Sequence, residues 1–288
     1  MSLPIRDELR GLRPYGAPQL DDVIRLNTNE NPFPPPAAMV AEIASAVSLV
    51  AQNLNRYPDR DAIELRKALA DYLKAESGVA LSVDSIWAAN GSNEVMLQIL
   101  QAFGGPGRTA LTFAPTYSMY EEYARDTATN FVTAQRTADF GLTPDIVRDA
   151  IKEFSPSVVF ITNPNNPTGT MIDVATLTAV IAEFPSTVFV IDEAYAEFRR
   201  QGVPSALTLL AANPNLVITR TMSKAFACAG LRLGYLAASA ELVAALQLVR
   251  LPYHLSTLTQ TVAKVALSYA AELQKDLQVL RQERDELV

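Results

Sequence analysis

Leu216 to Arg232 reads L-V-I-T-R-T-M-S-K-A-F-A-C-A-G-L-R. Leu216-Val217-Ile218 has the character of a buried strand, Thr219, Thr221 and Ser223 follow as a run of hydroxyls, and Lys224 stands just beyond them. The small apolar residues Ala225, Phe226, Ala227 and Ala229 desolvate that lysine, which disfavours its ammonium form and frees the amine to attack a carbonyl. Thr221, Ser223 and Arg232 contribute two hydroxyls and a guanidinium, the donors that a phosphate takes. A lone S-K-A is also what an ordinary surface lysine at a strand end looks like, so the rest of the chain has to decide.

Outward from this stretch the text repeats strand, turn and helix, the pattern of an α/β protein with a mostly parallel central sheet flanked by helices. The spacing predicts strands at Ile86–Ala89, Thr109–Phe113, Phe131–Ala134 (weak), Val158–Ile161, Val188–Ile191 and Leu231–Ala237, the last of which would carry Arg232. Helices are expected at Glu94–Phe103, Pro144–Phe154, Val174–Phe184 and Glu241–Val249. Upstream, Ala37–Leu54 and Asp61–Tyr72 have helical spacing, with Asp61 as cap. Residues 1–36 are too rich in proline for a long helix. Thr257 to Val288 reads as one long helix in which the text stops.

Ligands in open parallel sheets bind at the carboxyl edge, so the residues that follow each strand matter most. After the first strand comes Asn90-Gly91-Ser92-Asn93, a turn that offers free N–H groups at a helix N-terminus, where an anion is favoured. Tyr117 follows the second strand and could stack on a planar ring or simply pack. Thr162 to Gly169, T-N-P-N-N-P-T-G, is a proline-stiffened loop of amides that includes Asn166. Asp192-Glu193-Ala194-Tyr195 follows a fully apolar strand, and a carboxylate there wants a cationic partner such as a protonated pyridine nitrogen. An amine, a phosphate cradle and a buried carboxylate together suggest pyridoxal phosphate.

Composition narrows the alternatives. The 288 residues are 49% hydrophobic and 19% charged, with a formal net charge of -7 and no basic cluster, which argues against nucleic acid or an anionic membrane as partner. The one cysteine, Cys228, can form no internal disulfide, and neither a signal peptide nor a membrane span is legible, so a cytoplasmic location is expected. No metal-ligand cluster is present. Cys228 among alanines reads as packing, Glu193 as a structural neighbour of Asp192, and the one histidine, His254, as structural.

The text L-N-T-N-E-N-P, R-Y-P-D, G-S-N-E, A-P-T-Y-S-M-Y, N-P-N-N-P-T-G, D-E-A-Y and T-M-S-K-A-F-A-C-A-G-L-R-L-G resembles, in order, the fold-type I pyridoxal-phosphate aminotransferases, most closely the histidinol-phosphate aminotransferases. The resemblance runs from about Leu12 onward. It implies a catalytic group of Lys224, Asp192 and Tyr195: Lys224 holds the cofactor as an internal aldimine and moves the Cα proton, and Asp192 keeps the pyridine nitrogen protonated. Asn166 and Tyr195 would bond the ring oxygen and Tyr117 would stack on the ring. Ser92, Asn93, Thr221, Ser223 and Arg232 would hold the phosphate. Tyr57 would reach the phosphate of a partner subunit, which implies a homodimer. Tyr15, Asn29, Glu30 and Asn166 match positions near the substrate, and Tyr253 with His254 falls in the partner-facing segment.

The implied organisation is an N-terminal arm (1–36), a large cofactor-binding α/β domain (37–250, with leading helices at 37–72), and a helical stretch (251–288) leading to a small C-terminal domain. The family's arginines for the substrate carboxylate lie in that small domain, beyond the present text. The implied reaction is amino transfer between histidinol phosphate and 2-oxoglutarate, with glutamate as donor in the biosynthetic direction. The alternatives are an aromatic (phenylalanine) aminotransferase and a threonine-phosphate decarboxylase. An effector-binding half of a transcription regulator shares the fold, but its DNA-binding helices have no counterpart in the proline-rich start.

Overall fold

The computed structural model describes residues 3–20, 22–24 and 26–287, in two units divided between Glu30 and Asn31. The first unit has little regular secondary structure among its described residues. It has a short 3-10 turn at Asp7–Leu9, where Arg10 donates to Asp7 at 2.9 Å, and Asn27 donates to the Pro18 carbonyl at 3.2 Å. Tyr15, Asn29 and Glu30 belong to this unit. Met1, Ser2, Asp21 and Arg25 of the expected arm lie outside the described residues, as does Val288.

In the second unit, helices α1 (Ala37–Ala51) and α2 (Ile63–Ser77) lead into β1 (Ile86–Asn90), α3 (Gly91–Phe103), β2 (Thr109–Ala114), α4 (Met119–Asp126) and β3 (Asn130–Gln135). Then follow α5 (Pro144–Phe154), β4 (Val158–Thr162), α6 (Val174–Ile181), β5 (Val188–Asp192), β6 (Leu216–Thr221) and β7 (Leu233–Ala238). Helices α7 (Ala240–Val249), α8 (Thr257–Ser268) and α9 (Ala270–Leu287) come last. The strands form one sheet in the order β1-β7-β6-β5-β4-β2-β3, parallel except that β7 runs against both its neighbours.

The unbroken apolar runs of the inner strands follow from burial on both faces. Val158 and Phe160 of β4 and Val190 of β5 join one core with Trp87 and Ile99, whereas Val159, Ile161 and Ile191 join the other with Leu65 and Leu177. Because β7 is reversed, its beginning meets the ends of β6 and β1. Thr221 is registered with Gly234, and Asn90 with Leu233. On the other side Thr162, Asp192 and Thr219 lie abreast on β4, β5 and β6. All these positions share the carboxyl edge of the sheet.

Several local expectations are corrected. Arg232 is not on a strand: it ends a short 3-10 turn (Ala229–Leu231) at φ +55°, one residue before β7. Asp61 does not cap α2, since the residue before that helix is Ala62 in a left-handed conformation and the Ile63 N–H goes to Asp59 at 2.9 Å. No turn separates β1 from α3, which begins at Gly91. The long final helix is two, α8 and α9, parted at Tyr269. Helix α4, short and rich in tyrosine and charge, was not anticipated.

Candidate active site

Lys224 sits in a tight loop after β6. Met222 N–H bonds the Leu233 carbonyl (3.0 Å), Cys228 N–H returns to the Met222 carbonyl (3.2 Å), and Asn31 Nδ2 donates to the carbonyl of Lys224 itself (3.1 Å). The backbone is thereby fixed on three sides while the side chain stays half-buried, its Nζ 5.9 Å from the ring centroid of Tyr195. Neither Asn31 nor the loop closure was evident from spacing.

A ready anion cradle lies beside it. The N-cap residue of α3, Asn90, makes no side-chain cap; instead its N–H and Nδ2 both donate to Glu94 (2.6 and 2.7 Å), so the Asn90 side chain does not occupy the first-turn N–H groups, among them those of Ser92 and Asn93. The Arg232 guanidinium lies against Gly91, where an added Cβ would come within 2.7 Å of Nη2, and Nη1 donates to the Ala229 carbonyl at 3.1 Å. On the next strand, Thr221 donates to Ser223 Oγ (3.0 Å) and accepts from Ser223 N–H (3.1 Å), which leaves the Ser223 hydroxyl proton for another acceptor. A helix N-terminus, a guanidinium and a hydroxyl pair at neighbouring strand ends suit a phosphate dianion.

On the adjacent strand, β5, Asp192 is 4% exposed and accepts three hydrogen bonds, from Tyr120 (2.8 Å), Thr219 (3.1 Å) and the Ala194 N–H (3.2 Å). Burial pushes its carboxyl above the ordinary range while those donors pull the other way. Among the described residues no cation pairs with it, whereas its neighbour Glu193 is met by Arg220 at 2.7 Å on the opposite face. A buried carboxylate with donors but no counter-ion suits a protonated ring nitrogen. The residues present therefore fit pyridoxal phosphate at both ends.

Tyr117 is half-buried at the end of β2 and packs edge-on against Tyr120, with centroids 5.6 Å apart. Asn166 is half-buried in the loop after β4, which neighbouring Asn165 anchors by donating to the Pro115 carbonyl (3.1 Å) and accepting from Arg136 (3.0 Å). Tyr57 lies elsewhere on the surface, 80% exposed and stacked on Tyr253 at 4.6 Å. His254 bonds the Ala88 carbonyl at 2.9 Å and stacks on Trp87, a structural part. The described residues contain no metal-binding cluster and no helix long and apolar enough to cross a membrane.

Spacing alone missed Tyr120 and Arg220. Tyr120 lies three residues after Tyr117, and only the presence of α4 turns it back to Asp192. Arg220 is 1% exposed and holds Glu193, Glu197 (3.1 Å) and Glu76 (3.3 Å). A lone arginine within an apolar strand, one residue out of phase with Thr219, was the available signal.

A family model for aminotransferase class I and II matches residues 21–288, and the chain belongs to that family of pyridoxal-phosphate-dependent enzymes. Within it, the chain is 59% identical over 286 residues to the histidinol-phosphate aminotransferase of Thermobifida fusca, covering 99% of this chain and 77% of that one. It is 55% identical over 289 residues to the histidinol-phosphate aminotransferase of Frankia casuarinae, covering 99% and 73%. The fold matches the crystal structure of histidinol-phosphate aminotransferase from Sinorhizobium meliloti in complex with pyridoxal-5'-phosphate, with a TM-score of 0.79 at 23% identity over 90% of this chain and 68% of that one.

Proposed function

We propose that this chain transfers an amino group between histidinol phosphate and 2-oxoglutarate, a reading carried by its 59% identity, across 99% of its length, to a histidinol-phosphate aminotransferase. Bound pyridoxal phosphate supplies an electron sink for the bond broken at the substrate Cα. Lys224 would hold the cofactor through its amine and, once released, take the Cα proton and return it elsewhere, so a half-buried amine on a fixed backbone serves both roles. Asp192 would keep a proton on the ring nitrogen. Asn166 and Tyr195 would hold the ring oxygen, and Tyr117 the ring face. Ser92, Asn93, Thr221, Ser223 and Arg232 would bind the phosphate and fix the ring's tilt relative to Lys224. Asn166 would also border the substrate.

The exposed Tyr57 and Tyr253 pair favours a homodimer in which Tyr57 donates to the partner subunit's cofactor phosphate. A cytoplasmic location goes with soluble substrates and one buried thiol. The test compares kcat/KM for histidinol phosphate, phenylalanine and threonine phosphate. Histidinol phosphate is expected to lead by at least about tenfold; a lead for phenylalanine, or carbon dioxide release from threonine phosphate, overturns the assignment.

A further inference from the structure

Asp192 does not stand alone under the site. Its Oδ2 accepts the Tyr120 hydroxyl at 2.8 Å, and Tyr120 Oη lies 2.9 Å from Thr162 Oγ1, which lies 3.1 Å from Thr116 Oγ1. Tyr120 has one proton and gives it to Asp192, so Thr162 must donate to Tyr120 and Thr116 to Thr162. The direction of every bond in the row is thus determined. Tyr120 is fully buried, lies flat on Phe160 (centroids 4.7 Å, 7° between planes) and holds Tyr117 edge-on. Hydrogen bonds in such a row polarise one another, more strongly away from water.

We infer that Tyr120 is a positioning residue of the amino-transfer site, one that fixes the orientation of Asp192 and sets how firmly that carboxylate holds a proton on the cofactor ring, with Thr162 and Thr116 acting through it. The inference rests on the pyridoxal-phosphate reading of the site. Around Asp192 the other facing groups are Thr219 on β6 and the Ala194 N–H; Glu193 points to Arg220 on the far side, and Tyr123 lies beside Tyr120 on α4. Burial and the Asp192 charge both hold the phenol far above its ordinary range, so Tyr120 remains a donor at every pH where the enzyme works. Removing the hydroxyl makes Asp192 more basic. With pyridoxal phosphate bound, a more basic Asp192 would draw the ring proton more strongly to itself, and the Lys224 nitrogen would then keep its own proton to higher pH.

The experiment is a pH titration of the visible absorption of the protein with bound pyridoxal phosphate, for the wild type, Tyr120→Phe and Thr162→Val. Tyr120→Phe keeps the stacking on Phe160 and should raise the midpoint by about half a pH unit or more, with kcat lowered and KM nearly unchanged. Thr162→Val should shift the midpoint the same way by less, and it serves alone if Tyr120→Phe does not fold. A wild-type band with unmoved midpoints in the variants overturns the role of Tyr120 alone. A wild type that forms no band overturns the cofactor reading together with it.

Discussion

Gly234 and Ser92 touch backbone to backbone: a Cβ added to Gly234 would lie 2.1 Å from the Ser92 nitrogen and 2.3 Å from the Gly91 carbonyl carbon. The beginning of β7 thus presses directly on the first turn of α3, and the anion cradle has its depth because this residue has no side chain. Gly234→Ala must push the helix end away. Its expected cost is about 1–3 kcal/mol in chemical unfolding, with faster cofactor loss by gel filtration than from the wild type. Unchanged stability and retention would show that the helix can retreat freely.

Asp192→Asn should fold yet lower turnover by at least about 100-fold, because a neutral amide cannot hold a proton on the ring. The same residue predicts a stability signature without cofactor. Its folded carboxyl titrates above the ordinary value, so its favourable contribution is complete below the unfolded value and is lost as pH rises through the folded one. Cofactor-free Asp192→Asn should therefore melt higher than the wild type near neutral pH, and the gap should close on acidification toward pH of about 4. A gap independent of pH would contradict a burial-dominated shift.

Arg220→Met removes the shared cation of Glu193 and Glu197, leaving Glu193 with only Arg199 at 3.8 Å and Glu197 with no other ion-pair partner among the described residues. A loss of about 3–5 kcal/mol is expected in urea unfolding. A loss below about 1 kcal/mol would mean that Tyr72 and Ser205, which donate to those glutamates at 2.9 and 2.7 Å, suffice.

Tyr57→Phe and Lys224→Ala should each be poorly active alone. If Tyr57 serves the partner subunit, mixing the two proteins yields dimers with one site that has both residues, and activity should recover to about a quarter of wild type by statistical pairing. Absence of recovery in dimers shown to have exchanged would refute the shared site.

Cys228 is buried, and burial pushes its thiol up to about 11. The folded protein should resist a thiol reagent at pH of about 8, reacting only on unfolding. Rapid labelling of the native protein would mean that the Lys224 loop opens readily.

Most of the architecture was legible because the inner strands are buried on both faces: Val158–Ile161 and Val188–Ile191 stand as unbroken apolar blocks and deliver Asn166 and Asp192 to one edge. What was not legible depends on contacts between distant segments. Arg232 reads as the first polar residue of a strand, yet it takes a left-handed conformation and its guanidinium lies over Gly91, far away in sequence. Asp61 looked like a cap because local chemistry permits it, but Arg60 and Arg250 engage it instead, at 2.7 and 2.8 Å. Tyr120 and Asn31 carry no local signal, since each acts on a partner beyond its own helix or loop.

The reversed strand β7 also has a consequence for synthesis. Among the described strands β1 pairs with β7 alone, Ile86 facing Ala237, so of these strands the earliest to leave the ribosome waits for the latest. At about 5–20 residues per second, β1 and the start of α3 wait on the order of ten seconds before Gly234 emerges to seat them. Until then the nascent chain holds an unpaired strand edge beside a bare helix end, a period when chaperone capture is most valuable and when slowing translation beyond β6 would lower the yield of native enzyme.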